Sequence, residues 1–442
     1  MSKYTVQDII NLVEEEDVEF IRLQFVDLFG NFKNMAVTTS QLDKVLNNQC
    51  MFDCAAIEGF HGVDRPELML YPDLDTFEIF PWRPQQGKVA RLICDVYKPD
   101  GTPFDGDSRY ILKQVVKKAE RMGYTFDVGH ECEFFLFNFD EQGGATINTS
   151  EHGRYFDIGP IDAGENARRD IVLTLEDMGF EIESSFHADA PAQHEVDFRH
   201  DSPVIAADNL ETFKLVVRTV ARRHGLHATF MPKPKTGVKG SGMRINFSMY
   251  QEGMDAFCNE DHSGLSEIGK SFIAGILAHV RGMSVITNPI VNSYKRLVPG
   301  YEAPVYIGWS NHKQNPLVRS AKYADGTTKI ELRSPDGASN PYLALAVCIA
   351  AGLDGIERKL SAPSSISMDL SRMTEEEIRE QGIQLLPSTL QEAMEAFEQD
   401  IYIKNVLGSH IAETYLQAKK DEWKQYCLQV CSWELDQYLN RI

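Results

Sequence analysis

Long apolar runs, basic charge and cysteine are all scarce in this chain of 442 residues. No stretch approaches the roughly eighteen apolar residues that a membrane-spanning helix requires, so an integral membrane protein is not expected. Basic residues are outnumbered: 44 Lys and Arg stand against 65 Asp and Glu, a formal net charge of −21. So negative a surface repels nucleic acid and anionic membranes, which argues against either as a partner. The cysteines are dispersed, at 50, 54, 94, 132, 258, 348, 427 and 431. None forms a paired CxxC frame and most sit in apolar runs, so reduced, buried thiols in a cytoplasmic protein are expected, not disulfides or zinc. Cys427 and Cys431, spaced i,i+4, read as packing residues of a terminal helix. The opening stretch, Met1 to Glu16, is acidic and amphipathic and lacks the apolar core of a secretory signal. There is no internal repeat and no low-complexity tract.

What is present is an ordinary globular balance, 43% hydrophobic and 25% charged residues, with length enough for a small domain plus a large one. Thr5 is placed to cap a helix running to about Glu16. Ile21, Leu23 and Phe25 alternate with Arg22 and Gln24 as a half-buried strand does, and the turn 27–31 leads to a return strand over 32–37. A further strand spans 90–97. The Gly-, Pro- and Asp-rich stretch 99–109 is the best linker, placing a boundary between domains 1–103 and 104–442. Beyond it, helices are predicted near 108–122, 165–178, 208–224, 264–283 and 340–359. Strands are predicted at 131–138, 180–187, 194–200, 243–250 and 329–334. From about 387 the chain reads as helical to its end, with Trp423, Tyr426, Val430 and Trp433 at helical spacing. The fold class is α+β, a small domain followed by a large one with a helical tail.

The strands of the large domain share one property. Period-two alternation puts Glu131 and Glu133 on one face, with Cys132 and Phe134 on the other. In the same way Glu195 pairs with Asp197, Arg244 with Asn246 and Ser248, and Glu331 with Arg333. Two readings of that face are open. One is a solvated sheet laced with ion pairs. The other is a floor for a divalent cation and a phosphate, with hard oxygen ligands for the metal and guanidinium for the anion. A Gly-rich turn, Lys239 to Gly242, precedes one of these strands, where backbone amides meet anions. The Pro/Gly-punctuated loop 296–304, carrying Arg296 and Glu302, suits an active-site flap. His187 and His194 are readable either as substrate-facing or as ordinary hydrogen-bonded strand histidines.

A family resemblance then emerges from motifs in order along the whole chain: MFD (51–53), GHECEFFLF (129–137), QHEVDF (193–198), FMPKP (230–234), GSGM (240–243), NSYKRLVPGYEAP (292–304) and ELRSPD…NPYLA (331–344). Together they resemble class I glutamine synthetases of the short Gram-positive type. The resemblance implies a β-grasp-like N-terminal domain, a catalytic domain with a curved antiparallel sheet, and a dodecamer of two stacked six-membered rings with active sites between subunits. It implies that ATP phosphorylates the γ-carboxylate of glutamate and that ammonia displaces the phosphate, with Mg²⁺ or Mn²⁺ as cofactor. By the same resemblance Glu131, Glu133, Glu195 and Glu331 are metal ligands, and Gly240, Arg296 and Arg333 bind substrate. Arg319 lies near the phosphates. Glu183, Asn246, Ser248 and Lys329 serve the nucleotide. Asp53, offered across an interface, deprotonates ammonium, and Glu302 shields the acyl phosphate. Guanidino kinases have a related sheet, but the 296–304 loop and the NPYLA helix favour the ligase.

The sequence also departs from that family's pattern. Ala188 stands where a metal-ligating Glu is expected, with Asp189 beside it. Arg244 stands where a metal-ligating His is expected, and arginine cannot give up its proton to coordinate a cation. Its charge instead suits a stand-in for lost metal charge. Lys239 replaces an Asn, Gln314 an Arg, and Cys54-Ala55-Ala56 a Gly-Ser-Ser run. The arginine linked to feedback inhibition is replaced within His61-Gly62-Val63, and residues 365–387 carry no tyrosine for adenylylation. The expectation is an ATP-dependent γ-glutamyl ligase for ammonia. The alternatives are a ligase for another amine, or an impaired pseudoenzyme that assembles with a standard glutamine synthetase.

Overall fold

The computed structural model describes residues 3–60, 66–83, 85–259, 264–300, 303–311, 316–323, 326–368, 370 and 373–442. Strands β1 (Val18–Val26), β2 (Phe32–Thr38), β3 (Cys50–Asp53), β4 (Glu67–Ile79) and β5 (Lys88–Tyr97) form one sheet in the order β2-β1-β5-β4-β3. β1 and β5 are parallel and the other pairs antiparallel. Ile21, Leu23 and Phe25 are buried as their alternation predicts, in a core shared with the helix Val6–Glu15. Thr5 caps that helix in a reciprocal box: its side chain accepts the Asp8 N–H, and the Asp8 carboxylate accepts the Thr5 N–H.

Among the described residues the second sheet holds nine strands: β6 (Tyr124–Asn138), β7 (Ile182–His187), β8 (Gln193–Phe198), β9 (Leu226–Thr229), β10 (Met243–Gln251), β11 (Met254–Asp255), β12 (Trp309–Ser310), β13 (Val318–Lys322) and β14 (Thr328–Leu332). Its spine runs β12-β13-β14-β10-β6-β8-β7, antiparallel except for β12 with β13. One face rests on the helices Ser108–Arg121, Pro203–Arg223, Glu267–Thr287 and Pro341–Glu357, and Cys132, Phe134, Val196, Ile245, Phe247 and Ile330 point into that core. The helix Pro341–Glu357 is apolar all round and buried along almost its whole length, as a helix with no solvent face must be.

The start of that helix joins the two sheets. Asn340 caps it, accepting the N–H groups of Tyr342 and Leu343, and donates its amide to the carbonyl of Leu28. The turn 27–31 fits here because Gly30 has φ +80° and a Cβ there would lie 2.7 Å from the Asn340 Cα.

Two expectations need correction. The tail is not one continuous helix: Leu390–Gln399 is followed by Ile401–Cys427, which kinks at Gly408 (φ 76°, ψ 162°), and then by Ser432–Tyr438. Val430 thus falls in a break between helices, where backbone turns replace the ladder. Cys427 and Cys431 are exposed and lie on either side of that break, so they are not buried against this chain's own core, while the other six thiols are buried.

Candidate active site

Strand register assembles the charged face. On β6, Glu131 stands opposite Arg244 of β10 on one side and Asp197 of β8 on the other, while Glu133 stands opposite Glu195. Asn246 faces Glu331 of β14, and Glu331 faces Arg319 of β13. Five strands therefore carry one continuous acidic and basic strip on the face opposite the apolar core.

Arg244 is the hub of that strip. Its Nη1 is 2.6 Å from Glu131 Oε2 and 3.8 Å from Glu195 Oε1, and its Nε is 3.7 Å from Glu331 Oε1. Glu331 is held further by Arg319 Nε at 3.1 Å and Arg333 Nε at 3.2 Å. Burial raises the pKa of Glu131, but the Arg244 charge and hydrogen bonds from Arg244 and Asn246 outweigh it and hold the carboxyl below its usual range. Glu195 moves the opposite way. Burial and the facing Glu133 charge push it well above the carboxylate range, against the pull of Arg244. Asp197 is pushed up to about 6, chiefly by burial, with the Ser184 hydroxyl opposing.

A cavity of about 140 Å³ opens over this floor. Glu131, Glu133, Glu195, Arg244, Arg296 and Arg333 line its charged side. Arg296 is buried and donates to the carbonyls of Ser334 (2.7 Å), Pro335 and Arg333, which fixes the chain leaving β14. Gly240 allows the loop to close over the floor: a Cβ there would lie 2.2 Å from the Pro232 carbonyl oxygen. At the rim Lys239 is ion-paired with Asp189, beside the buried Ala188.

Other expected site residues are not gathered there. Asp53 ends β3, exposed, its carboxylate accepting the Ala55 N–H. Glu183 is exposed on β7. Ser248 is buried further along β10, and Lys329 on β14 reaches His200 at 3.4 Å and lies over the Tyr323 ring. Asn246 leaves its Oδ1 buried without a hydrogen-bond partner. Glu302, Gln314 and His61-Gly62-Val63 lie outside the described residues, although Ala303 and Pro304 reach the cavity wall. Tyr155 and Phe186, which the strand patterns do not pick out, form an aromatic wall in edge contact. The cue was present as Arg154-Tyr155-Phe156 in an otherwise Gly- and Asp-rich loop.

His187 and His194 are buried and do not line the cavity, and among the described residues His194 Nε2 makes no hydrogen bond. His187 contacts Glu151 at 2.5 Å and the Ala188 carbonyl at 2.7 Å, and His194 meets Arg168 at 2.9 Å. Glu151, Asp162 and His187 converge closely enough to resemble a metal site. However, Glu151 also accepts the N–H groups of Ala163, Gly164 and Ala192, and Asp162 is bonded to Arg168 and the Gly164 N–H. The trio is a satisfied network bracing the strands beside Ala188.

A two-sheet fold with acidic and guanidinium groups over a cavity suits an enzyme that binds a divalent cation and an anion. Residues 17–99 match the family model "Glutamine synthetase, beta-Grasp domain" and residues 105–438 match "Glutamine synthetase, catalytic domain". The chain is 53% identical over 442 residues to a glutamine synthetase of Clostridium saccharobutylicum, covering all of both chains. It is 52% identical over 440 residues to a glutamine synthetase of Staphylococcus aureus, covering 99% of each. Among solved structures, a GmaS/ADP complex superposes with a TM-score of 0.88 at 30% identity, over 98% of this chain and 99% of that one. This chain belongs to the glutamine synthetase family.

That family implies divalent cations, and the floor fits them unevenly. Glu133 and Glu195 face one another across β6 and β8, and Glu195 is buried at the cavity without a hydrogen bond among the described residues. That pair suits a hard cation. Around Glu131 and Glu331, by contrast, the positive charge is supplied by the chain's own arginines.

Proposed function

We propose that this chain is an ATP-dependent ligase that makes glutamine from glutamate and ammonia through γ-glutamyl phosphate. The observation that carries the reading is the convergence of Arg296, Arg333, Glu133 and Glu195 on one cavity, in a chain 53% identical over its full length to a glutamine synthetase. A carboxylate is a poor acyl donor. Its oxygen therefore attacks the γ-phosphorus of ATP, releasing ADP, and the ammonia nitrogen then attacks the acyl carbon and expels phosphate. Arg319 and Arg333 are the guanidinium groups placed to neutralise the moving phosphoryl group. Buried Arg296 and Gly240 shape the glutamate side of the cavity. Asn246, Ser248, Lys329 and Glu183 are assigned to the nucleotide by resemblance. A divalent cation held by Glu133 and Glu195 would screen the phosphates of bound ATP.

Every described residue lining the cavity lies between 131 and 333, so among the described residues none comes from the N-terminal sheet. Exposed Asp53 is therefore assigned to a neighbouring subunit's cavity, where it would take the proton from ammonium. The tail exposes Tyr426, Leu428, Val430, Trp433, Leu435, Tyr438 and Leu439, a large apolar surface for a further copy to cover. Both observations support a homo-oligomer, and the assembly proposed is the dodecamer of the family. Among the described residues no helix is long and apolar enough to cross a membrane.

Arg244 among the acids and Ala188 beside them favour a second reading, a chain with little chemistry that joins a standard glutamine synthetase in mixed assemblies. The deciding experiment is glutamate-dependent phosphate release from ATP, with Mg²⁺ or Mn²⁺, against ammonia and a panel of amines. Release with ammonia above all other amines supports the ligase as stated. Release only with another amine moves the substrate, and no release with any amine leaves the second reading.

A further inference from the structure

We propose that the acidic floor takes a single divalent cation, between Glu133 and Glu195, because Arg244 permanently occupies the place of a second. The inference concerns cation binding and stands apart from whether the chain turns over glutamate.

Both oxygens of Glu131 accept hydrogen bonds from the chain's own donors, and Glu331 is faced by three guanidinium groups, although its Oε2 makes no hydrogen bond among the described residues. Glu131 Oε2 meets Arg244 at 2.6 Å and Oε1 accepts the Asn246 amide at 2.8 Å. Glu331 Oε1 faces Arg333 at 3.2 Å and Arg244 at 3.7 Å, and Oε2 faces Arg319 at 3.1 Å. A metal ion entering here would have to displace a guanidinium that cannot deprotonate and that springs from the middle of the sheet, on β10 between β6 and β14. Displacing it would break its ion pair with Glu131 and set the incoming cation beside Arg319 and Arg333. The second place is closed by charge.

The first place is different in kind. Glu133 has one described partner, the Gly242 N–H on Oε2 at 2.6 Å. Glu195 is more than nine-tenths buried, aimed into the cavity and hydrogen-bonded to nothing described; its nearest cation is the edge of Arg244 at 3.8 Å. Two facing carboxylates, Glu195 buried and Glu133 half-buried, with no counter-charge between them are costly, and a cation relieves that cost. Asp189 does not extend the ligand set, because Lys239 holds it at the rim. Two carboxylates are few for a protein-only cage but suit Mg²⁺ or Mn²⁺, which keep waters and complete their shell with substrate phosphates.

The test counts Mn²⁺ bound per chain, by the loss of the free-ion paramagnetic resonance signal, with metal alone and no turnover. We expect one Mn²⁺ per wild-type chain, none at the same concentration in Glu195→Gln or in the more exposed Glu133→Gln, and two in Arg244→His. Circular dichroism checks that each variant is folded, and the wild-type count stands even if a variant is not. Two Mn²⁺ per wild-type chain, none at all, or one that survives both carboxamide substitutions would each overturn the proposal. One Mn²⁺ in a chain without glutamate-dependent phosphate release would sink the ligase reading and leave this one standing; activity with two Mn²⁺ would do the reverse.

Discussion

Two arginines sit in rings of three carboxylates, and the rings differ in what they leave undone. Arg109 is 2.7 Å from Asp73, 2.7 Å from Asp95 and 2.8 Å from Asp208, with its side chain 3% exposed. Lys113 donates to the other oxygen of Asp95, and the Tyr342 hydroxyl adds a second donor to Asp208 Oδ1, which already accepts from Arg109 Nε. The hub ties β4 and β5 of the first sheet to helices of the second domain, and it is saturated. Arg244 has one close carboxylate and two at 3.7 and 3.8 Å, and its side chain is 35% exposed. A saturated ring is a joint, whereas an open ring beside a cavity still has charge to offer a ligand.

The comparison is broken most severely at the joint. Arg109→Leu would strand three carboxylates around an apolar side chain, and removing one partner of a buried pair costs about 3–5 kcal/mol. Urea unfolding should show a midpoint far below wild type. An unchanged midpoint would mean that the domains are held by packing and not by this hub. Next in size is Arg333→Ala, which should cut glutamate-dependent phosphate release by ~10²–10³, the loss typical when one electrostatic stabiliser is removed. Its unfolding midpoint should move much less than that of Arg109→Leu. Equal losses of stability in the two variants would erase the distinction between joint and site.

Arg244→Ala sharpens the same contrast. Solvent reaches this guanidinium, so its contribution to stability is discounted and the expected shift in midpoint is small. If its charge serves the phosphates, turnover should fall, by less than for Arg333, and activity equal to wild type would remove Arg244 from the chemistry.

The difference between the rings also marks what was legible in sequence. Alternation in the stretch Glu131-Cys132-Glu133 and around Glu195, Arg244 and Glu331 reveals which side of each strand is charged, because the period of two is local. That Glu131 lies opposite Arg244 while Glu133 lies opposite Glu195 depends on register between strands distant in the chain, which no local pattern carries. Hence the replacement at 244 was visible, but not the three carboxylates it would meet. β4 escaped notice because Pro72 and the acids around it break the alternation, and the structure has a bulge between Asp73 and Glu78 there. Arg109 was hidden for the opposite reason: it lies in a stretch read as linker, and its partners come from three separate elements. The helices, set by caps and apolar spacing, differ mainly at their ends, as in Pro203–Arg223, which begins five residues before the predicted start.

The smallest expected effect concerns a third charged cluster, in which the positive charge is conditional. His279 Nδ1 is 2.8 Å from Asp400 and its Nε2 is 3.1 Å from Asp354, pinning the helix Glu267–Thr287 to two others. Burial lowers its pKa, but the hydrogen bonds and charges of the two aspartates outweigh that and raise it above the ordinary 6.5. The folded chain therefore holds this proton more tightly than the unfolded chain does. The added stability is fully present below pH 6.5 and disappears as pH rises through the folded-state value. His130 has the reverse sign: burial, with Lys214 nearby, lowers its pKa to about 3, so the unfolded chain takes up a proton the fold refuses and stability falls below pH 6.5. Unfolding midpoints measured from pH 5 to 9 should thus decline at both ends, and His279→Gln should flatten the alkaline limb while leaving the acid limb in place. An alkaline limb unchanged in the variant would show that the aspartates hold His279 by packing geometry alone, as an uncharged joint and not as a charged ring like that of Arg109.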